Sequence, residues 1–158
     1  MKQIIRDFQA GCSAISWDTE DGKALFGRNF DLNRMADITK ITKIQNRCGN
    51  DLTVWSGNDD MTVPMMSLGA KGVISVLSNV VPLETQTMCR AALAGDFDTA
   101  AALQLELQPL VEALFCEVNP IPVKEAMKMI GYDCGACRLP LGAMSAENRK
   151  KLEKILCE

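Results

Sequence analysis

The stretch that decides the fold is residues 52–95, LTVWSGNDDMTVPMMSLGAKGVISVLSNVVPLETQTMCRAALAG. Two short apolar runs, at 52–56 and 72–77, have the length and composition of buried strands. The second run is apolar on both faces, which is typical of a parallel strand covered by other layers on both sides. The two runs therefore predict neighbouring strands of a parallel sheet.

Helices follow each of these predicted strands. Residues 60–68 predict a helix that ends at Gly69, because glycine readily takes the left-handed conformation found after a helix. Pro82 is suited to the first turn of a second helix, which we expect to run to Ala94 with Gly95 just beyond its end. An alternation of strand, helix, strand and helix predicts an α/β fold with a parallel sheet or barrel.

The rest of the chain predicts a hairpin before this unit and helices after it. Residues 11–30 contain two short strands around Asp21-Gly22, a favoured turn pair, and Asp37 is a suitable cap for a short helix that ends near Arg47. After Gly95 the apolar pattern is helical only. The helices expected there are 97–115 with a bend at Pro109, 122–130 opened by Pro122, and 146–156 capped by Ser145.

Composition excludes several classes of function. The chain has 158 residues and a net charge of −3 without a basic cluster, so no surface for nucleic acid is predicted. Its apolar stretches are much shorter than the roughly 20 residues of a membrane span. An odd count of seven cysteines and no recognisable leader favour free thiols in a reducing cytoplasm. The absence of histidine excludes serine–histidine and cysteine–histidine catalysis.

No metal or other cofactor is predicted. The pair in Cys134-Gly-Ala-Cys137 has a zinc-like spacing, but a structural zinc site needs two further ligands. The chain offers no second cysteine pair of this kind and no histidine. We therefore interpret this segment as an ordinary loop before Arg138.

Residues 37–158 resemble the C-terminal part of the 4-hydroxy-tetrahydrodipicolinate synthase family, also called dihydrodipicolinate synthase, within the N-acetylneuraminate lyase superfamily. The matching motifs stand in the same order and spacing as in that family. They are Thr53-Val-Trp-Ser-Gly-Asn-Asp59, Gly72-Val-Ile-Ser-Val-Leu-Ser-Asn79, Asn119-Pro-Ile-Pro-Val-Lys124 and Arg138-Leu-Pro-Leu141. The last two motifs favour the dipicolinate branch over the sialic-acid branch.

The resemblance implies part of a (β/α)8 TIM barrel, namely its last two strands and their helices, followed by a C-terminal helical bundle and preceded by an N-terminal β-hairpin. The expected domains are 1–36, 37–95 and 96–158. Two strands alone would form a marginal sheet with two open edges. We expect the hairpin to be able to cover one of these edges.

The family joins pyruvate to aspartate semialdehyde in lysine biosynthesis through a Schiff base on a lysine. The resemblance places Leu32 at the position of that lysine, and leucine cannot form an imine. It places Gly57 and Ile74 beside the substrate pyruvate, at the end of the barrel where active sites lie. Gly57 could equally be a strand-end glycine, and Ile74 a core residue. Lys40, Lys43 and Lys71 are interpreted as solvated charges.

Residues 12–31 resemble the start of the choloylglycine hydrolase and penicillin V acylase family. The resemblance implies that Cys12 is a nucleophile with its own α-amine as base, and that Arg28 and Asp31 are active-site partners. Eleven residues precede Cys12, so its amine lies in a peptide bond unless they are removed. The alternative is a hairpin with an ordinary thiol.

Three hypotheses follow. The first is a truncated Schiff-base lyase that binds pyruvate by resemblance and is inactive alone. The second is an N-terminal-nucleophile amidase that uses Cys12. The third is a non-catalytic module that forms homo-oligomers or associates with a full-length synthase.

Overall fold

The computed structural model describes residues 11–18, 24–31 and 38–157, and for the first two ranges it describes the backbone only. The predictions of Asp37 as a helix cap and of Asp21-Gly22 as a turn concern positions outside the described residues. Leu32 also lies outside them. Strands β1, Gly11–Asp18, and β2, Ala24–Asp31, pair antiparallel along their whole length.

One further strand, β3, joins this hairpin. It spans Thr53–Trp55, and the sheet order is β2-β1-β3. Strand β1 pairs antiparallel with β3, with Ile15 opposite Val54. Strand β1 therefore lies along one edge of β3, which is the arrangement expected if the hairpin covers an edge.

Helices make up most of the remaining chain, and the longer ones lie close to where the sequence predicts them. Helix α3 ends at Gly95, whose φ of 84° is the left-handed conformation expected of glycine after a helix. The six helices of the described residues are α1 Ile38–Cys48, α2 Thr62–Ser67, α3 Pro82–Ala94, α4 Phe97–Leu114, α5 Ile121–Met129 and α6 Ala146–Cys157. Within the described part of the chain, none of them has the length and apolar character of a membrane-spanning helix.

The predicted strand at 72–77 is wrong in its extent. Only Val73 forms a parallel bridge, with Ser56, and Leu77 already begins a short 3-10 helix, Leu77–Asn79. The physical reason is that a side chain takes the backbone donors that a strand would need. The amides of Val76 and Leu77 donate to Asp59 Oδ2 at 2.9 and 3.2 Å, instead of to a neighbouring strand.

The predicted helix at 60–68 begins differently as well. Its first turn is a 3-10 helix, Asp59–Met61, and the α-helical part is only α2. The Thr62 hydroxyl donates to the Asp59 carbonyl at 3.0 Å and closes this tighter turn. As predicted, Gly69 follows the helix in a left-handed conformation with φ 101°.

Two apolar clusters form the core, and each takes residues from both sides of Gly95. The first joins β3, α2, α3 and the start of α4. The second joins the 3-10 helix at Leu77–Asn79 to α4, α5 and α6. Both clusters bridge the expected boundary between residues 95 and 96. The division into domains stays a prediction. The described residues form no closed barrel, so the fold seen here is a helical unit with a small sheet at one side.

Candidate functional site

The carboxyl end of the small parallel pair is the place where the two expected pyruvate-binding residues meet. The Ser56 amide donates to the Gly72 carbonyl at 2.8 Å, and the Ile74 amide donates to the Ser56 carbonyl at 2.8 Å. Gly57 and Ile74 directly follow the bridged residues Ser56 and Val73. Because side chains alternate along strands, Gly57 and Ile74 share one face of the sheet. The structure brings them together, while their role in binding stays a prediction.

The two faces of this sheet differ in burial. Val54 and Ser56 point towards the helices and are 4% and 0% exposed. Trp55 and Gly57, on the opposite face, are only half-buried, and Ile74 is 38% exposed. The face that carries the expected substrate wall is thus open in the described structure. Ile74 is therefore not a core residue, which was the alternative interpretation of this position.

Gly72 lets the two strands approach each other on this open face. Its φ is 153°, a conformation that side chains rarely adopt. A Cβ atom at this position would lie 3.0 Å from Trp55 Cζ3 and 3.2 Å from Trp55 Cε3. The aromatic ring therefore occupies the space that any other residue at position 72 would need.

We expect Gly72→Ala to lower the free energy of unfolding by about 2 kcal/mol, because it combines backbone strain with overlap against a ring. Chemical denaturation followed by circular dichroism measures this loss. Gly142→Ala is the matched control, since a Cβ there meets nothing within 4 Å and its φ is not positive. Equal stability of the two variants would contradict the role assigned to Gly72.

A buried carboxylate organises the strand end from the side of the helices. Asp59 is 2% exposed, and its Oδ2 accepts the amides of Val76 and Leu77. Its Oδ1 is buried and has no hydrogen-bond partner among the described residues. Sequence reasoning did not single out Asp59, although a carboxylate directly after a strand and before a helix is a usable signal. The Asp59 carboxylate fixes the course of the chain after Ile74.

Gln104 of α4 connects the helical unit to the turn after β3 that contains Asp59, which we call the corner. The side chain is buried, donates from Nε2 to the Asp59 carbonyl at 2.9 Å and accepts the Val63 amide at 3.2 Å. Both ends of the amide are therefore satisfied by backbone groups, as buried polar side chains require. Gln104 holds the 3-10 helix and α2 in register with α4.

The charge of Asp59 also affects its neighbours. Burial, and then the charge of Asp59, raise the pKa of Asp60 above its ordinary value. The same two causes in the same order raise the pKa of the Cys89 thiol. A thiol with a raised pKa is a poor nucleophile.

The three lysines that the sequence singled out are all exposed. Lys40 and Lys43 are exposed on α1, and Lys71 is exposed at the amino end of the segment that carries Ile74. Lys124 of α5 is hydrogen-bonded to a loop. Its Nζ donates to the carbonyls of residues 134, 135 and 136 at 2.9, 3.1 and 3.2 Å. The exposure of Lys40, Lys43 and Lys71 agrees with their interpretation as solvated charges.

The loop held by Lys124 contains both cysteines of the Cys134-Gly-Ala-Cys137 segment. The six cysteines whose side chains the structure describes, all but Cys12, are free thiols. The described residues contain no group of three or more acidic, cysteine or histidine side chains that could hold a metal ion. A shallow, mainly apolar cavity of about 270 Å³ lies beside the loop, and Cys137 is one of its lining residues. The cytoplasmic location stays a prediction.

The residues of the amidase hypothesis lie in the hairpin. Cys12 is in β1 opposite Phe30, Arg28 is in β2 opposite Ala14, and Asp31 pairs with Gly11. These are backbone positions, and the three side chains lie outside what the structure describes. The geometry thus gives no arrangement of a nucleophile and its partners.

The comparisons with known proteins agree with the resemblance of the longer segment. The model of the Dihydrodipicolinate synthetase family matches residues 33–158. A curated 4-hydroxy-tetrahydrodipicolinate synthase of Caldicellulosiruptor saccharolyticus is 48% identical over 122 residues, which cover 77% of this chain and 41% of that protein. The synthase of Aquifex aeolicus is 48% identical over 120 residues, with 76% and 41% covered.

Solved structures show the same likeness. The crystal structure of dihydrodipicolinate synthase from Aquifex aeolicus superposes with a TM-score of 0.76 at 46% identity, covering 79% of this chain and 43% of that chain. The Thermotoga maritima enzyme gives a TM-score of 0.74 at 35% identity, covering 80% and 46%. The chain therefore spans less than half the length of these relatives.

The family match begins at residue 33, so it gives no support to the amidase resemblance of residues 12–31. The match covers most of the chain and includes the strand end with Gly57, Asp59 and Ile74. By this evidence, the chain belongs to the dihydrodipicolinate synthetase family.

Proposed function

We propose that this chain serves the pyruvate-dependent reaction of 4-hydroxy-tetrahydrodipicolinate synthases, and that it contributes one wall of the pyruvate site without forming the imine itself. The observation that supports this most directly is the shared position of Gly57 and Ile74 on the open face of the strand end. Their neighbours Trp55 and Asp59 shape this wall from its two sides.

Two features support the proposal that this chain does not form the imine itself. The sequence has Leu32 where the family resemblance places the lysine. Lys71 lies at the amino end of its segment, whereas active sites of barrels lie at the carboxyl ends of the strands.

Borohydride trapping tests this proposal. An amine condenses with the ketone of pyruvate with loss of water, and borohydride then adds hydride to the C=N bond and makes the adduct permanent. We expect the intact chain incubated with pyruvate and borohydride to show no stoichiometric adduct by mass spectrometry. The Aquifex aeolicus synthase, treated in parallel, is the positive control for the trapping conditions. A stoichiometric adduct on one lysine of this chain would overturn the proposal.

A further inference from the structure

The loop between α5 and α6 carries two thiols that the proposed pyruvate site does not use. Cys134 is exposed, Cys137 is half-buried, and both are free. Gly135 and Ala136, which have the two smallest side chains, are the residues between them. Because little side-chain bulk lies between the two cysteines, a disulfide that joins them would meet little steric resistance within the loop.

The backbone of this loop turns between the two cysteines. The carbonyls of residues 134, 135 and 136 all accept hydrogen bonds from Lys124 Nζ. In an extended strand, successive carbonyls point in opposite directions and could not all reach a single atom. Gly135 also has a φ of 68°, a left-handed conformation found in turns. The segment therefore folds around the ammonium group, which keeps Cys134 and Cys137 nearer to each other than an extended chain would.

The bonds that shape the loop engage its backbone and not its sulfur atoms. Lys124 holds carbonyls, and the Gly135 amide donates to Asp133 Oδ1 at 2.8 Å. The two thiols differ in access. Cys134 is exposed to molecules from solution, whereas Cys137 lines the shallow, mainly apolar cavity beside the loop. This difference suits Cys134 to the first attack on a dissolved molecule and Cys137 to a second attack within the loop.

We propose that Cys134 and Cys137 form a redox-active dithiol that exchanges with small disulfides of the glutathione class. The dithiol lies on the loop between α5 and α6, and the proposal does not depend on the proposed function at the strand end. Its oxidised state is a disulfide between Cys134 and Cys137, and its reduced state is the pair of free thiols seen in the structure.

The exchange takes place in two steps. The Cys134 thiolate attacks one sulfur of the small disulfide, the S–S bond breaks, and one small thiolate leaves with the electron pair. The Cys137 thiolate then attacks the Cys134 sulfur of the mixed disulfide and expels the second small thiolate. The two protons of the cysteines pass to the two released thiolates. In total the loop loses two electrons and two protons, and the small disulfide is reduced to two thiols.

Oxidised glutathione tests the proposal on the intact chain. The reduced chain is incubated with oxidised glutathione and about 0.1 mM reduced glutathione, which is well below the mM effective concentration that a short linker gives two joined groups. Free thiols are then alkylated and the peptides are analysed by mass spectrometry. We expect the closed form of the peptide with Cys134 and Cys137 to exceed its mixed disulfide by about tenfold.

Cys157 is the internal control of this experiment. It is exposed, and no cysteine lies three residues from it in the sequence. We therefore expect Cys157 to stop at the mixed disulfide with glutathione. The proposal is overturned if a mixed disulfide at Cys134 accumulates in the wild-type chain, because Cys137 then does not reach the Cys134 sulfur. It is also overturned if the products at Cys134 and Cys137 are the same as those at Cys157.

Cys137→Ser and Cys134→Ser separate the two roles. Each change replaces one sulfur by an oxygen at a side chain that is not fully buried, and circular dichroism checks that the fold is kept. With Cys137→Ser we expect Cys134 to keep the attached glutathione. With Cys134→Ser we expect Cys137 to acquire glutathione more slowly than Cys134 does in the other variant, because it is less accessible. The reverse order of rates would overturn the assignment of Cys134 as the attacking thiol.

Discussion

Replacing Asp59 by alanine is expected to lower the free energy of unfolding by about 3 kcal/mol. The carboxylate is 2% exposed and accepts the amides of Val76 and Leu77. Hydrogen bonds to a charged group are stronger than neutral ones, and truncation leaves both donors without a partner in a poorly hydrated corner. Denaturant titration monitored by circular dichroism would measure the loss.

Asp59→Asn separates the hydrogen bonds from the charge. The amide oxygen can still accept from both backbone groups, and the new nitrogen replaces Oδ1, an atom without a partner among the described residues. We expect a loss of only about 1 kcal/mol. A loss as large as that of the alanine variant would show that the negative charge, and not the acceptor geometry, stabilises the corner.

Asp60→Ala is the matched control next in the sequence. Burial and the charge of Asp59 raise the pKa of Asp60, so the folded state binds its proton more tightly than the unfolded state does. The ionised form of Asp60 therefore opposes folding above that pKa, and its removal should not lower stability at neutral pH. A loss comparable to that of Asp59→Ala would contradict the assignment of the corner to Asp59 alone.

Leu77→Ala is expected to cost about 3 kcal/mol of stability, because it leaves a cavity in the second apolar cluster. Leu77 is 0% exposed and is the fully buried residue that the strand-bearing part of the chain contributes to this cluster. Its loss should therefore weaken the attachment of that part to α4, α5 and α6. The change in the denaturation midpoint, with the slope unchanged, would give the value.

The control for this prediction is Leu83→Ala on α3, where the leucine is 68% exposed. Alanine favours helix formation and little apolar area is lost, so the effect should stay within about 0.5 kcal/mol. If Leu77→Ala proved as mild as the control, the second cluster would not depend on the segment that follows the sheet.

The sequence predicts the helices better than the strands, for a physical reason. Helix ends depend on local signals, such as Gly95 after α3 or Pro82 at its start, and these appear at the predicted places. The extent of a strand depends on partners far away in sequence. The run at 72–77 has the apolar pattern of a buried strand, but Asp59 takes the amides of Val76 and Leu77 and ends the pairing after Ile74.

For the same reason, the sequence predicted only some of the residues of the candidate site. Gly57 and Ile74 came from the family resemblance, and the structure places both on one face of the strand end, where their role in binding stays a prediction. Asp59 and Gln104 act through contacts 17 to 45 residues away in sequence, which no local pattern shows. The motif around residues 53–59 contained Asp59, but only the fold explains what it does.

The three carbonyl bonds of Lys124 change how the loop with the two cysteines should be understood. An ammonium group from α5 acts there as a built-in cation, surrounded by backbone oxygens much as a bound metal ion would be. The Gly135 amide donates to Asp133 and completes the turn, so the shape of the loop is set without either thiol. The hydrogen bonds that hold the shape of this loop therefore come from Lys124 and Asp133, whose charged groups contact its backbone, and not from the residues at 134 and 137 whose spacing resembles a zinc motif.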